Sequence, residues 1–152
     1  MQFDFTKEHV YSMVLKEIDE RILIFSKLLF DLNLGAQNDA KSSAGDKHET
    51  SISMMHIEQE KIGMQLNEVK EIKIQLSKIV IAPPNGKVMI GSLVKTNQGI
   101  FYIAVALGKV MINGVQIFVL SPQSPLAQKL LNLKKKQETE LNSKRFIVEE
   151  IL

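Results

Sequence analysis

The stretch YSMVLKEIDERILIFSKLLFDL, Tyr11 to Leu32, decides the fold. Its apolar residues fall at Tyr11, Leu15, Ile18, Ile22, Phe25, Leu29 and Leu32, with spacings that alternate four and three without a break. That rhythm is the seam of a coiled coil, narrower than the face a globular helix turns to its core. Upstream, Thr6 has the side chain of an N-cap. Phe5 before it and Val10 after it have the spacing of a hydrophobic staple, which fixes how the chain enters the helix.

A second run repeats the rhythm more loosely: Met55, Glu58, Ile62, Gln65, Val69, Ile72, Leu76 and Ile79. Pairing Leu32 with Met55, Leu29 with Glu58, Phe25 with Ile62, Ile18 with Val69, Leu15 with Ile72 and Tyr11 with Leu76 keeps the sum of the residue numbers constant. An antiparallel hairpin requires that constancy. The fold-back then falls near Ser43 and Ala44, and each arm reaches about 45 Å at the rise of an α-helix. Between the runs stands SSAGDKHET, Ser42 to Thr50, which contains no large apolar side chain. Residues 42–50 therefore form the tip, and two acids, Asp46 and Glu49, stand there three residues apart.

Past the second run the pattern changes. IAPPNGK, Ile81 to Lys87, stacks two prolines and an Asn-Gly pair, which end helices and start turns. Beyond it come β-rich runs, KVMIGSLVKT, GIFYIAVAL, KVMINGVQIFVL and RFIVEEIL, divided by turn signals at Asn97-Gln98-Gly99 and Asn113-Gly114. One helix interrupts them: Ser124 is its N-cap, Pro125 its first residue, and LAQKLLNLKKK its body, with Lys134, Lys135 and Lys136 near the C-terminal end, where the dipole favours cations. The chain thus divides into a coiled-coil hairpin over 1–82 and a small domain over 83–152. The class is α+β, with an antiparallel sheet and one helix in the second half.

The composition narrows the chemistry. The formal net charge is +2 in 152 residues, which gives no argument for wrapping nucleic acid. No cysteine is present, which removes disulfides, thiolate metal sites and thiol nucleophiles. The glycines form no phosphate loop, and no nucleophile–base arrangement is legible. MQFDFTKEHVY carries acids at Asp4 and Glu8 and no apolar signal core, and no apolar run approaches the roughly 20 residues that span a bilayer. The expectation is a cytoplasmic, monomeric protein with no membrane partner.

A helical hairpin with an acidic tip, joined to a small α+β domain, resembles the Gre-type transcript cleavage factors of bacterial RNA polymerase over nearly the whole chain. At the tip the family pattern Gly-Asp-x-x-Glu-Asn-x-Glu-Tyr is met by Gly45, Asp46 and Glu49; Thr50, Ile52 and Ser53 replace its Asn, second Glu and Tyr. Val88 to Val94 looks like the family's opening strand, and Ser121-Pro122-Gln123-Ser124-Pro125-Leu126-Ala127 like its Ser-Pro approach to the single helix. The acidic stretch between these motifs is replaced by Leu107-Gly108-Lys109, and the Gly-Asp turn after the helix by Lys136-Gln137. The resemblance implies an FKBP-like topology for the second domain. It implies that this domain grips RNA polymerase, with Ser121, Pro122, Ser124 and Pro125 as contact residues, while the hairpin enters the secondary channel. There Asp46 and Glu49 would act in trans at the nascent RNA 3′ end, sharing a Mg²⁺ with the polymerase, which performs the hydrolysis; the protein itself would not be an enzyme. Two-metal phosphodiester hydrolysis needs oxygen ligands for the second ion and a positioned water, and Mg²⁺ asks for only one or two carboxylates besides phosphate oxygens.

Other readings stand beside this one. Asp46 and Glu49 have the spacing of a capping box. His48 reads as a solvated side chain, Met54 and Met55 as helix packing, and Lys41 and Lys47 as charges that aid solubility or offset repulsion between the tip acids and the polymerase's carboxylates. The replaced residues Thr50 and Ser53 leave open, as the runner-up, a regulator that occupies the channel and inhibits without stimulating cleavage. An FKBP-like peptide-binding or isomerase module would need an aromatic pocket, for which the second half offers Phe101, Tyr102, Phe118 and Phe146 but no tryptophan. A plain coiled-coil adaptor leaves the Ser-Pro segment unexplained.

Overall fold

The computed structural model describes residues 4–40 and 45–152, and the side chains of 4–37 and 49–152. Two long helices come first, α1 (Lys7–Ala40) and α2 (Gly45–Ser77), and form a hairpin. A six-stranded sheet with one short helix follows: β1 (Leu93–Thr96), β2 (Gly99–Ile103), β3 (Gly108–Ile112), β4 (Val115–Leu120), α3 (Pro125–Leu130), β5 (Glu138–Leu141) and β6 (Lys144–Ile151). The fold is α+β, as the change of period at Ile81–Lys87 predicts. The fold-back expected near Ser43 and Ala44 lies outside the described residues. Contacts divide the chain into two compact units: the residues up to Glu17 with Ile74–Leu152, and Ile18–Lys73.

In the Ile18–Lys73 unit the seam on α1 follows the sequence, with Ile18 fully buried and Ile22, Phe25, Leu29 and Leu32 half-buried. On α2, Ile62, Leu66 and Val69 are buried. The place expected for Glu58 is taken by Gln59: Glu58 is exposed, whereas Gln59 is half-buried and its amide donates to Asn33 Oδ1 at 2.8 Å. A carboxylate would pay a larger desolvation cost there than a neutral amide that finds a partner. Lys73 and Asp19 form an exposed ion pair at 2.7 Å across the helices, a contact worth little in water.

In the other unit, the start of α1 lies beside the end of α2. Thr6 caps α1, accepting from the His9 N–H at 3.1 Å, and Phe5 and Val10 are both buried, as the staple requires. Val10 and Val14 are buried more deeply than Tyr11 and Leu15. Tyr11 keeps a polar task, its hydroxyl donating to the Leu76 carbonyl at 3.2 Å.

The strand order is β3-β4-β2-β1-β6-β5. The sheet is mixed rather than purely antiparallel: β2 and β4 pair parallel, and the other neighbours antiparallel. The cause is the route of the chain. After β2 it crosses to the outer edge to make β3, then turns back through Asn113 and Gly114, both at positive φ, to lay β4 between β3 and β2. Both residues at positive φ is the hairpin geometry that Asn-Gly favours.

Two expected elements are shorter than their sequence runs. KVMIGSLVKT yields a strand only from Leu93, because the chain turns at Gly91 (φ 92), whose N–H donates to the Ile103 carbonyl. LAQKLLNLKKK yields a helix only to Leu130. Asn132 (φ 71) turns the chain out of the helix, and its N–H donates to the Val88 carbonyl while the Leu133 carbonyl accepts from the Val88 N–H. Against one face of the sheet, α3 buries Ala127 and Leu130 on a cluster of Val88, Val94, Phe101, Ile103, Phe146 and Val148.

Candidate functional site

Three places carry the chemistry the sequence singles out or the fold creates. The first is the beginning of α2. Asp46 is the second residue of that helix and Glu49 the fifth. Residues three apart share one side of a helix. An N-cap precedes the first helical residue, so the cap position belongs to residues outside the described set. Glu49 is exposed, and the side chains of Asp46, Lys47 and His48 lie outside the description. Among the described residues no three His, Asp or Glu gather as a metal-binding group.

The second place is the segment from β4 into α3. Ser121 Oγ accepts from the Gln123 N–H at 3.1 Å and donates to Gln123 Oε1 at 2.5 Å. The Ser121 carbonyl accepts from the Ser124 N–H at 3.0 Å. Ser124 is extended (φ −65, ψ 150) and caps α3, its Oγ accepting from the Ala127 N–H at 3.2 Å, with Pro125 in the first turn. Gln128 reaches back, its amide donating to the Pro122 carbonyl at 2.6 Å. Ser121, Pro122 and Ser124 are half-buried, and Gln123 and Pro125 are exposed. The result is a rigid, uncharged knuckle. It can offer shape and neutral hydrogen-bonding groups to a partner, and no acid or base.

The third place was not legible in the sequence. A pocket of about 640 Å³ is lined by Phe5 to Glu8, Ile81 to Pro84, Glu150 and Leu152. The Lys7 ammonium donates to the Ala82 carbonyl. Burial pushes the Lys7 pKa below the usual lysine value, against a smaller opposing pull from Glu8. Local patterns could not reveal this contact, because its partners are 75 residues apart. No local signal marks it, since the accepting carbonyl belongs to Ala82, just before the Pro83-Pro84 pair.

Phe101, Phe118 and Phe146 pack on one another, with ring centroids 5.4 Å apart for Phe101–Phe118 and 6.0 Å for Phe101–Phe146. Phe101, Phe146 and Tyr102 are buried, so these aromatics fill the core. Both units also expose large apolar side chains: Leu23, Ile24 and Phe30 on α1 and Met54, Ile57 and Met64 on α2 in the hairpin unit, and Val80, Met89, Ile90 and Met111 in the other.

No protein-family model matches the chain, and no curated protein does. Among solved structures it is similar to one described as that of the transcription factor Gfh1, at 17% identity and a TM-score of 0.37, over 90% of this chain and 92% of that one.

Proposed function

We propose that the protein is a transcription factor of the Gre type, which binds RNA polymerase and sends its hairpin into the secondary channel. The observation that carries this reading is the start of α2: one long helix ends at Ala40, and the next opens with Gly45-Asp46-x-x-Glu49. Asp46 and Glu49 would together hold a Mg²⁺ shared with the polymerase's own carboxylates. Bound there, the ion supplies Lewis-acid activation of a water. This chain's share is to deliver two oxygen donors on a helical arm, whose stiffness keeps them in place. The Ser121–Pro125 knuckle provides the docking contact, suited to a shape-matched partner because its polar groups are already oriented by Gln123 and Gln128. The exposed Leu23, Ile24, Phe30, Met54, Ile57 and Met64 give the arm apolar surface for contact with a channel wall. The polymerase remains the enzyme.

A second reading keeps the docking and drops the cleavage. Thr50 and Ser53 stand where the resemblance expects an Asn and a Tyr beside the acids, and Thr50 is exposed. Halted polymerase complexes separate the two. With the protein added, release of short 3′ RNA fragments supports cleavage, and slowed elongation without fragments supports occlusion. No effect on either overturns both.

A further inference from the structure

The lysines after α3 do not sit at a helix end. The helix stops at Leu130, and Lys129 is the basic residue of its last turn. Dipole matching, the reason the sequence offers for Lys134, Lys135 and Lys136, therefore does not apply to them. Instead, tertiary pairing brings a fourth lysine to the run. Lys87 and Lys134 face each other across an isolated antiparallel bridge, fastened by Val88 N–H to the Leu133 carbonyl at 2.9 Å and Asn132 N–H to the Val88 carbonyl at 2.8 Å. Like charges directly opposite on paired strands repel, yet no carboxylate within the described residues pairs with any of the four, and all four are exposed. Lys136 holds φ 74, a conformation that glycine adopts more readily. The whole region from residue 83 onward is basic, with nine Lys and Arg against four Glu. The hairpin half is acidic, which is why the total of +2 hides the asymmetry.

We infer that Lys87, Lys134, Lys135 and Lys136 form a contact surface for the phosphate backbone of duplex DNA. The flanking residues Asn85, Gly86, Asn132 and Gln137 are exposed and polar or small, while Met89 and Ile90, beyond the buried Val88, are exposed and apolar; none of these is aromatic. Protein interfaces are depleted in lysine and centred on aromatic or apolar anchors, whereas lysine is a standard phosphate contact. Single-strand binders add aromatic platforms on which bases stack; among the described residues of this unit Phe5, Phe101, Tyr102 and Phe146 are buried, and Phe118 stacks on Phe101. What the patch offers is charge without base readout, so binding is sequence-independent and steeply salt-dependent. This inference stands apart from the polymerase reading, since it uses neither the tip acids nor the knuckle.

The test is fluorescence anisotropy of a labelled duplex titrated with the full chain at several salt concentrations. The expected Kd is on the order of 10⁻⁴–10⁻⁶ M, and log K should fall with log salt with a slope of about −3 to −4 from four phosphate contacts. Replacing Lys87, Lys134, Lys135 and Lys136 by Gln should weaken binding at least about tenfold and flatten the slope by about 0.9 per lysine. A control variant with Lys16, Lys61, Lys70 and Lys78 changed to Gln loses the same charge and should bind as the parent does. All eight side chains are exposed, and circular dichroism checks that both variants fold; Lys87→Gln alone, which should flatten the slope by about 0.9, serves should the fourfold variant fail. Duplex binding unchanged by the patch substitutions overturns the inference. So does equal weakening in the control, or tighter binding of single-stranded RNA or polyglutamate than of duplex.

Discussion

Tyr102 gives the most quantitative check on the packing of the sheet-containing unit. Its ring lies 1% exposed on β2. Burial, with a smaller contribution from Tyr11, raises the pKa of its phenol from 10.0 to about 12. The folded state therefore holds this proton more tightly than the unfolded chain. The associated stability is present in full below pH 10, falls as pH rises from 10 towards 12, and is gone above the folded value. Two pKa units at 1.36 kcal/mol each come to about 2–3 kcal/mol. The chain has two tyrosines and no tryptophan, so phenolate absorbance is simple to assign. In a Tyr11→Phe variant the remaining phenol should ionise near pH 12, or abruptly at a lower pH if the unit unfolds first. Chemical denaturation should show stability declining between pH 10 and 12 in the parent. Tyr102→Phe should remove that decline, compared at equal pH. Reversible ionisation of Tyr102 near pH 10 in the folded protein would refute the reasoning, because a phenol that deprotonates at its solution value is not desolvated.

Further predictions rest on other contacts. Ile18 is fully buried and Leu29 only half so; Ile18→Ala should cost about 2–5 kcal/mol in denaturant unfolding and Leu29→Ala clearly less, and equal costs would mean the seam is packed otherwise. Gly91→Ala should destabilise by about 1–3 kcal/mol from backbone strain alone and more from contact, since a Cβ would stand 2.9 Å from the Val80 carbonyl oxygen; a thermal midpoint equal to the parent's would contradict that geometry. Ser124→Ala removes the cap of α3 and should cost about 0.5–2 kcal/mol, while weakening capture of the protein by polymerase; unchanged capture moves the docking surface elsewhere.

The sequence makes the large features legible because they depend on periodicity and backbone chemistry. An unbroken alternation of fours and threes can be satisfied only by a helix against a partner, and Pro83-Pro84 forbids its continuation. Asn113-Gly114 and Ser124-Pro125 each name a local conformation, and both are found in place. What escaped depends on contacts between distant segments. β5, ETEL, is an edge strand paired on one side only, to β6; its Glu138 and Glu140 are exposed, so it carries no apolar run and is not among the expected strands. The early end of α3 follows from Val88 capturing the backbone of Asn132 and Leu133, a competitor 44 residues upstream of Asn132. The same capture creates the four-lysine patch. The Lys7 pocket arises in the same way, from a contact between the first helix and the linker after the second. Asp46 and Glu49, in contrast, were singled out by the Gly45-Asp46-x-x-Glu49 resemblance and by their place between two runs, and the role given to them is a proposal.

The central claim is that these two acids work on RNA held by another protein. Its most direct test adds the parent, Asp46→Asn and Glu49→Gln proteins to halted, backtracked polymerase complexes with Mg²⁺ and measures the rate of 3′ fragment release. Either substitution should leave stability within about 1 kcal/mol, the scale of a helix-terminal effect, and polymerase binding intact. Fragment release should be stimulated by the parent and fall at least about tenfold in each variant, as expected when a metal-positioning carboxylate is lost. Variants that stimulate release as well as the parent would contradict the claim and leave Asp46 and Glu49 as ordinary residues of a helix's first turns.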